Sequence, residues 1–125
     1  MNAAKKLLNS LYFEVIPMKG FEEKLDVLKA GDRVGITCSP KQGLQVTLDT
    51  VSKLTGRGFS LTPHIAARQV KSQQHLRDIV AQLTDSGITS IFVPGGDLDQ
   101  PMGDYNSSAA VLSDLSEMDH PFTRI

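Results

Sequence analysis

One cysteine, Cys38, stands in the chain, so no disulfide can close within it, and such sparing thiol use fits a reducing compartment. Basic charge is not in excess either: 13 Lys and Arg against 14 Asp and Glu leave a formal charge of -1, which argues against the basic face that duplex nucleic acid requires. No apolar run approaches the roughly 18 residues that a membrane span needs. The opening MNAAKKLLNSLYF places two lysines before apolar residues, but Asn9 and Ser10 break the run and no cleavage site follows. It reads as a short amphipathic helix of a cytoplasmic protein. What is present, 125 residues of which 40% are hydrophobic and 22% charged, is enough for one globular domain over 1–125.

The sequence alternates between strand and helix patterns. LYFEVIP mixes aromatic and β-branched residues and stops at Pro17, as a buried strand does. Phe21, Leu25 and Leu28 then recur at helical spacing, with Gly31 as the stop. DRVGITCSP predicts a second strand, followed by a helical stripe of Leu44, Leu48, Val51 and Leu54 closed by Gly56. FSLTPHIA predicts a third strand; after it Ser72 is a candidate N-cap for a helix carrying Leu76, Ile79, Val80 and Leu83. ITSIFV predicts a fourth strand, and Ser107 or Ser108 opens a helix with Val111, Leu112 and Leu115. The expected strands lie near 11–16, 33–38, 58–62 and 88–93, and no low-complexity linker separates the units.

Repeated β-α units with short loops imply parallel strands with helices as cover. Two architectures compete: a doubly wound sheet, which suits the length, and a (β/α)8 barrel, which needs about twice this chain. The pattern by itself favours the first. The closing DHPFTRI, however, enters what looks like a fifth strand and stops inside it.

In either architecture ligands meet the carboxyl ends of the strands. Those ends are polar here. Glu14 lies near the end of the first strand, Thr37 and Cys38 at the end of the second, His64 and then Arg68 after the third, and Gly95, Gly96 and Asp97 after the fourth. Several have a plain structural explanation: Thr37 by β-propensity, His64 as a solvated loop histidine, Gly95-Gly96-Asp97 as a tight turn. Glu14 is harder to dismiss, because a carboxylate between Phe13 and Val15 would be costly to bury unless paired or used. Their common position is the functional signal.

In order and spacing, YFEVIP, VGITCSP, LTPHIAARQV, HLRDIVAQLTDSGITSIFVPGGD and PMGDYNSSAAVLSDL resemble the first half of the methylenetetrahydrofolate reductase family, across most of residues 10 to 118. The resemblance implies a TIM barrel of which this chain supplies the first four β-α units, a half barrel. It implies FAD as cofactor, NADH or NADPH as co-substrate, and reduction of 5,10-methylenetetrahydrofolate to 5-methyltetrahydrofolate. Phe13-Glu14 matches the family's Phe-Glu, which makes Glu14 the proton donor that helps open the folate ring. Thr37 matches a flavin-contacting threonine, while Cys38 replaces the aromatic that follows it. His64 matches the strand-three histidine. Gly96-Asp97 matches the end of Arg-Gly-Asp, with Asp97 beside flavin and folate and Gly95 where the arginine is expected. Tyr105-Asn106 resembles a cofactor-touching Tyr-Ala, with Asn106 departing from alanine.

A half barrel would leave edge strands and an apolar inner face uncovered, so the resemblance also leads us to expect a homo-oligomer or completion by further barrel strands. The competing class is a non-catalytic half-barrel module that binds a folate-like or nucleotide-like ligand, or serves as a partner subunit. Neither reading calls for a membrane, a nucleic acid or a metal.

Overall fold

The structure, a computed structural model, describes residues 12–125. The amphipathic helix expected at the start lies outside the described residues. Strands β1 (Tyr12–Val15), β2 (Arg33–Ile36) and β3 (Ser60–Pro63) pair in parallel in the order β1-β2-β3. Tyr12 stands opposite Arg33 and Arg33 opposite Ser60; Glu14 stands opposite Gly35 and Gly35 opposite Thr62.

Between and after the strands run α1 (Phe21–Lys24), α2 (Leu44–Leu54), α3 (Gln73–Asp85) and α4 (Ser108–Ser116). The first expected helix is only one α turn, continued by a 3-10 turn over Leu25–Val27 that buries Leu25 and leaves Val27 in solvent. The stripes of α2 and α3 are buried as their spacing predicts: Leu44, Leu48, Val51 and Leu54 in one, Leu76, Ile79, Val80 and Leu83 in the other. Ser72 caps α3 by accepting the His75 amide at 3.0 Å, and Ser107 caps α4 by accepting that of Ala110 at 3.3 Å.

Because side chains alternate along a strand, each strand splits its residues between two faces. Val34, Ile36, Leu61, Ile65, Ile91 and Val93 join the helices in a single core. The other face carries Tyr12, Glu14, Arg33, Gly35, Ser60, Thr62 and His64. The apolar inner face expected from the strands is therefore absent: the apolar residues are those that meet the helices, and the opposite face is mainly polar.

The half barrel is not what this chain forms. It is a small α/β domain with a three-stranded parallel sheet and, among the described residues, four helices. The fourth expected stave, residues 88–93, joins only through isolated parallel bridges, His64 to Phe92 and Ser90 to Arg124. The local cause is visible in the backbone bonds. Pro94 has no N–H to extend a ladder, and the carbonyls of Pro94 and Gly95 accept the amides of Ala67 and Arg68, which begin a 3-10 turn over Ala67–Gln69. The segment thus follows the exit of β3 into a turn. Among the described residues, no helix is long and apolar enough to cross a membrane.

Candidate functional site

The polar face of the sheet holds a concavity of about 440 Å³, lined by Tyr12, Glu14, Arg33, Thr62, His64, Phe92 and Arg124 among others. Across it runs a connected row. The Arg33 guanidinium lies 5.6 Å from the centre of the Tyr12 ring, a cation–π distance. The Tyr12 hydroxyl is 3.2 Å from His64 Nε2. The His64 and Phe92 rings meet edge to face, 5.0 Å between centroids at 77°. Beside them Thr62 Oγ1 donates to Ser90 Oγ at 3.1 Å.

Gly35 makes this row possible. It lies on the same face between Glu14 and Thr62, and a Cβ there would overlap the Tyr12 hydroxyl and ring. The tyrosine on β1 therefore reaches across β2 to the end of β3. His64 is buried, and burial pushes its imidazole below the ordinary histidine range, with the Glu14 carboxylate pulling it back up in part. Burial also pushes the Tyr12 phenol up; Glu14 adds to this and Arg33 opposes it. An imidazole pushed toward its neutral form, a phenol pushed toward keeping its proton and the Glu14 carboxyl group thus share one face.

No protein-family model matches the chain, and no curated protein matches it.

The residues singled out from the sequence fall into three groups. Glu14 and His64 both line the concavity. Glu14 is exposed rather than sheltered by Phe13 and Val15, because those neighbours point to the opposite face. Thr37 and Cys38 form a second group at the end of β2. Thr37 Oγ1 donates to the Val15 carbonyl at 3.2 Å, and its own carbonyl accepts Thr47 Oγ1 at 3.0 Å, so its polar atoms tie β1, β2 and α2 together. Cys38 is half-buried and its thiol is pushed up by burial, against weaker hydrogen-bonding effects from Ala66 and Thr47, which disfavours a reactive thiolate.

The third group lies around the 95–106 loop. Gly96 has φ 97° and a Cβ there would come 3.1 Å from Ala66 Cβ, so the turn needs glycine on both counts. Asp97 is exposed and does not line the concavity. Asn106 is exposed, and its carbonyl accepts Arg68 Nε at 3.0 Å. Tyr105 is turned into the core, where its hydroxyl donates to Asp114 Oδ2 at 2.6 Å; burial and that carboxylate push the phenol up to about 12.

Sequence reasoning leaves Tyr12, Arg33, Gly35, Thr62 and Phe92 without a role. The signal that finds all but Phe92 is the strand period. Counting back by twos from His64 gives Thr62, and from Glu14 gives Tyr12; counting from Thr37 gives Gly35 and Arg33. Arg68, which follows the third strand, turns out to serve the loop rather than the concavity. Its Nη1 donates to the Leu98 carbonyl at 2.8 Å and its Nε to that of Asn106, so one guanidinium organises the loop after Gly96.

Proposed function

We propose that this protein is a cytoplasmic oxidoreductase of the methylenetetrahydrofolate reductase type, taking hydride from NADH or NADPH. One observation carries the reading: Glu14, whose local sequence resembles that of the family's acid, shares a single concavity with Tyr12, His64 and Arg33 on the polar face of the sheet. The reaction needs two things of a protein. The bond from N10 of the folate to the bridging methylene must break, with a proton delivered to N10. A hydride must then reach the methylene carbon of the resulting iminium. Glu14 supplies the proton from its carboxyl group. Tyr12 and Phe92 bring aromatic carbon to the lining against which a flat heterocycle can pack, and Arg33 and Arg124 give cationic partners for carboxylate or phosphate groups.

The residues assigned to FAD do not fit it well. Tyr105 is inside the core with its hydroxyl on Asp114, and Asp97 and Asn106 are exposed and do not line the concavity. Gly95 offers no side chain where an arginine is expected. No step is therefore routed through a flavin, and the hydride comes from the nicotinamide cofactor itself.

The test is product formation. Purified protein supplied with methylenetetrahydrofolate and NADH or NADPH is expected to yield 5-methyltetrahydrofolate, at a rate that added FAD leaves unchanged. Tight folate binding with no product under any of these conditions would favour the non-catalytic module instead.

A further inference from the structure

Tyr12 and Gly35 have no part in the proton and hydride steps, yet their geometry is specific. The Tyr12 backbone pairs with Arg33, while its hydroxyl reaches a histidine that follows β3. The His64 amide donates to the Ile36 carbonyl at 2.8 Å, fixing the backbone, and the Phe92 ring closes the other side of the imidazole. Only the missing Cβ at position 35 leaves the tyrosine a path. The imidazole is thus held between a hydroxyl and a ring edge.

The bond between Tyr12 and His64 can run in either direction, and chemistry decides which. A phenol is a stronger donor than a neutral imidazole N–H, and an unprotonated imidazole nitrogen is a stronger acceptor than a phenol oxygen. Tyr12 also keeps its proton, since burial and the Glu14 charge both oppose its loss. The hydroxyl therefore donates and Nε2 accepts, which places the single proton of the neutral ring on Nδ1. The charged and titratable groups near the pair are Glu14 on β1, Arg33 on β2 over the Tyr12 ring, and Arg124 in the lining. Among the described residues no hydrogen bond uses Nδ1 of His64.

We propose that Tyr12, reaching through the gap left by Gly35, is a positioning residue that locks His64 as the neutral Nδ1–H tautomer. Nδ1–H is then the donor left for an acceptor atom of the bound ligand, a carbonyl or ring nitrogen of a heterocycle. That last step rests on the reductase reading; the tautomer does not.

The experiment is a long-range ¹H–¹⁵N correlation of the histidine ring nitrogens in labelled protein without ligand. In the parent, His64 is expected to show a bare Nε2 and a protonated Nδ1. Tyr12→Phe adds no atom and removes the donor, so the ring should move toward Nε2–H, the tautomer a free histidine prefers. Its titration midpoint should rise by about 0.5 to 1 pH unit, the size of one neutral hydrogen bond. Gly35→Ala should reproduce both changes, because its Cβ displaces the hydroxyl, while Thr62→Ala, on the same face, should reproduce neither. A protonated Nε2 in the parent, or ring shifts untouched by Tyr12→Phe, would overturn the proposal; if Gly35→Ala does not fold, Tyr12→Phe decides alone. These spectra need no turnover, so they decide the tautomer even if the reductase reading fails. Where turnover is measured, Tyr12→Phe should move the acid limb of the kcat profile by the same amount, and an unmoved limb would reject the positioning role.

Discussion

Two histidines have imidazoles pushed below the ordinary range. His64 is buried under Tyr12 and Phe92, and His75 Nδ1 accepts the Lys71 amide at 2.9 Å just before α3. Burial, the largest cause in each case, pushes both imidazoles down, with Lys71 adding to the effect at His75. The unfolded chain therefore binds more protons than the folded one once the pH falls below the ordinary value of 6.5. Stability contributed by these groups is present above that pH and is lost as the pH drops toward their folded values. Urea unfolding should show a lower stability at pH 5 than at pH 7.5, and His75→Leu should flatten that difference; equal stabilities would refute it. Tyr105 has the opposite sign. Its phenol, pushed up to about 12, holds its proton when the unfolded chain has lost it, so stability should fall as the pH rises from 10 toward 12. Tyr105→Phe should remove that alkaline loss and cost about 1.5 to 3 kcal/mol at neutral pH, measured by denaturant unfolding, because a hydrogen bond to a charged partner disappears.

At the level of elements, legibility in the sequence depends on how strongly the core imposes a period. The stripes of α2 and α3, the Ser72 cap and three of the four strands are readable because one side chain in two, or one in three to four, must reach a single core. ITSIFV has the same strand composition, with Ile91 and Val93 buried, yet forms only bridges, since Pro94 and the carbonyls bonded to Ala67 and Arg68 end its pairing. Pro94 is visible in the sequence, but the bonds from the Ala67 and Arg68 amides to this segment leave no trace in side-chain pattern. The site is legible at Glu14 and His64, ionisable groups within or directly after a strand. It is not legible at Tyr12 and Gly35, which look like ordinary strand residues until the register sets them in line. Tyr105 shows the converse: its place in a family-like motif gives no sign that Asp114, on α4, takes its hydroxyl.

The 95–106 loop makes its own test of element-level order. Arg68 ties it at the carbonyls of Leu98, Asp99 and Asn106 and Met102 donates its amide to the Arg68 carbonyl at 2.8 Å, while Gly96 turns the chain where a side chain would press on Ala66. Gly96→Ala should lose about 1 to 3 kcal/mol in urea unfolding, the usual cost of forcing a side chain into that backbone region. Arg68→Met should instead speed amide exchange in the loop and leave that of α3 unchanged. Equal protection in the variant would show that the loop is held by its backbone alone.

For the whole molecule, the arrangement divides labour between the two faces of one small sheet. The helices and core take the apolar face and provide the stiffness; the other face is left to Arg33, Tyr12, Glu14, His64 and Phe92, which the parallel register brings into a single concavity. The claim that this face reduces a folate rests on Glu14 as the acid. The decisive measurement is the rate of methylenetetrahydrofolate-dependent NADH or NADPH oxidation by the parent and by Glu14→Gln, with the unfolding midpoint of each recorded alongside. Glutamine keeps the size and much of the hydrogen bonding on an exposed strand position but cannot act as the acid. The rate is expected to fall by about 10² to 10⁴, the usual contribution of a positioned acid, with the midpoint unchanged. A Glu14→Gln protein that oxidises the nucleotide at the parent rate, or a parent that shows no folate-dependent oxidation, would contradict it.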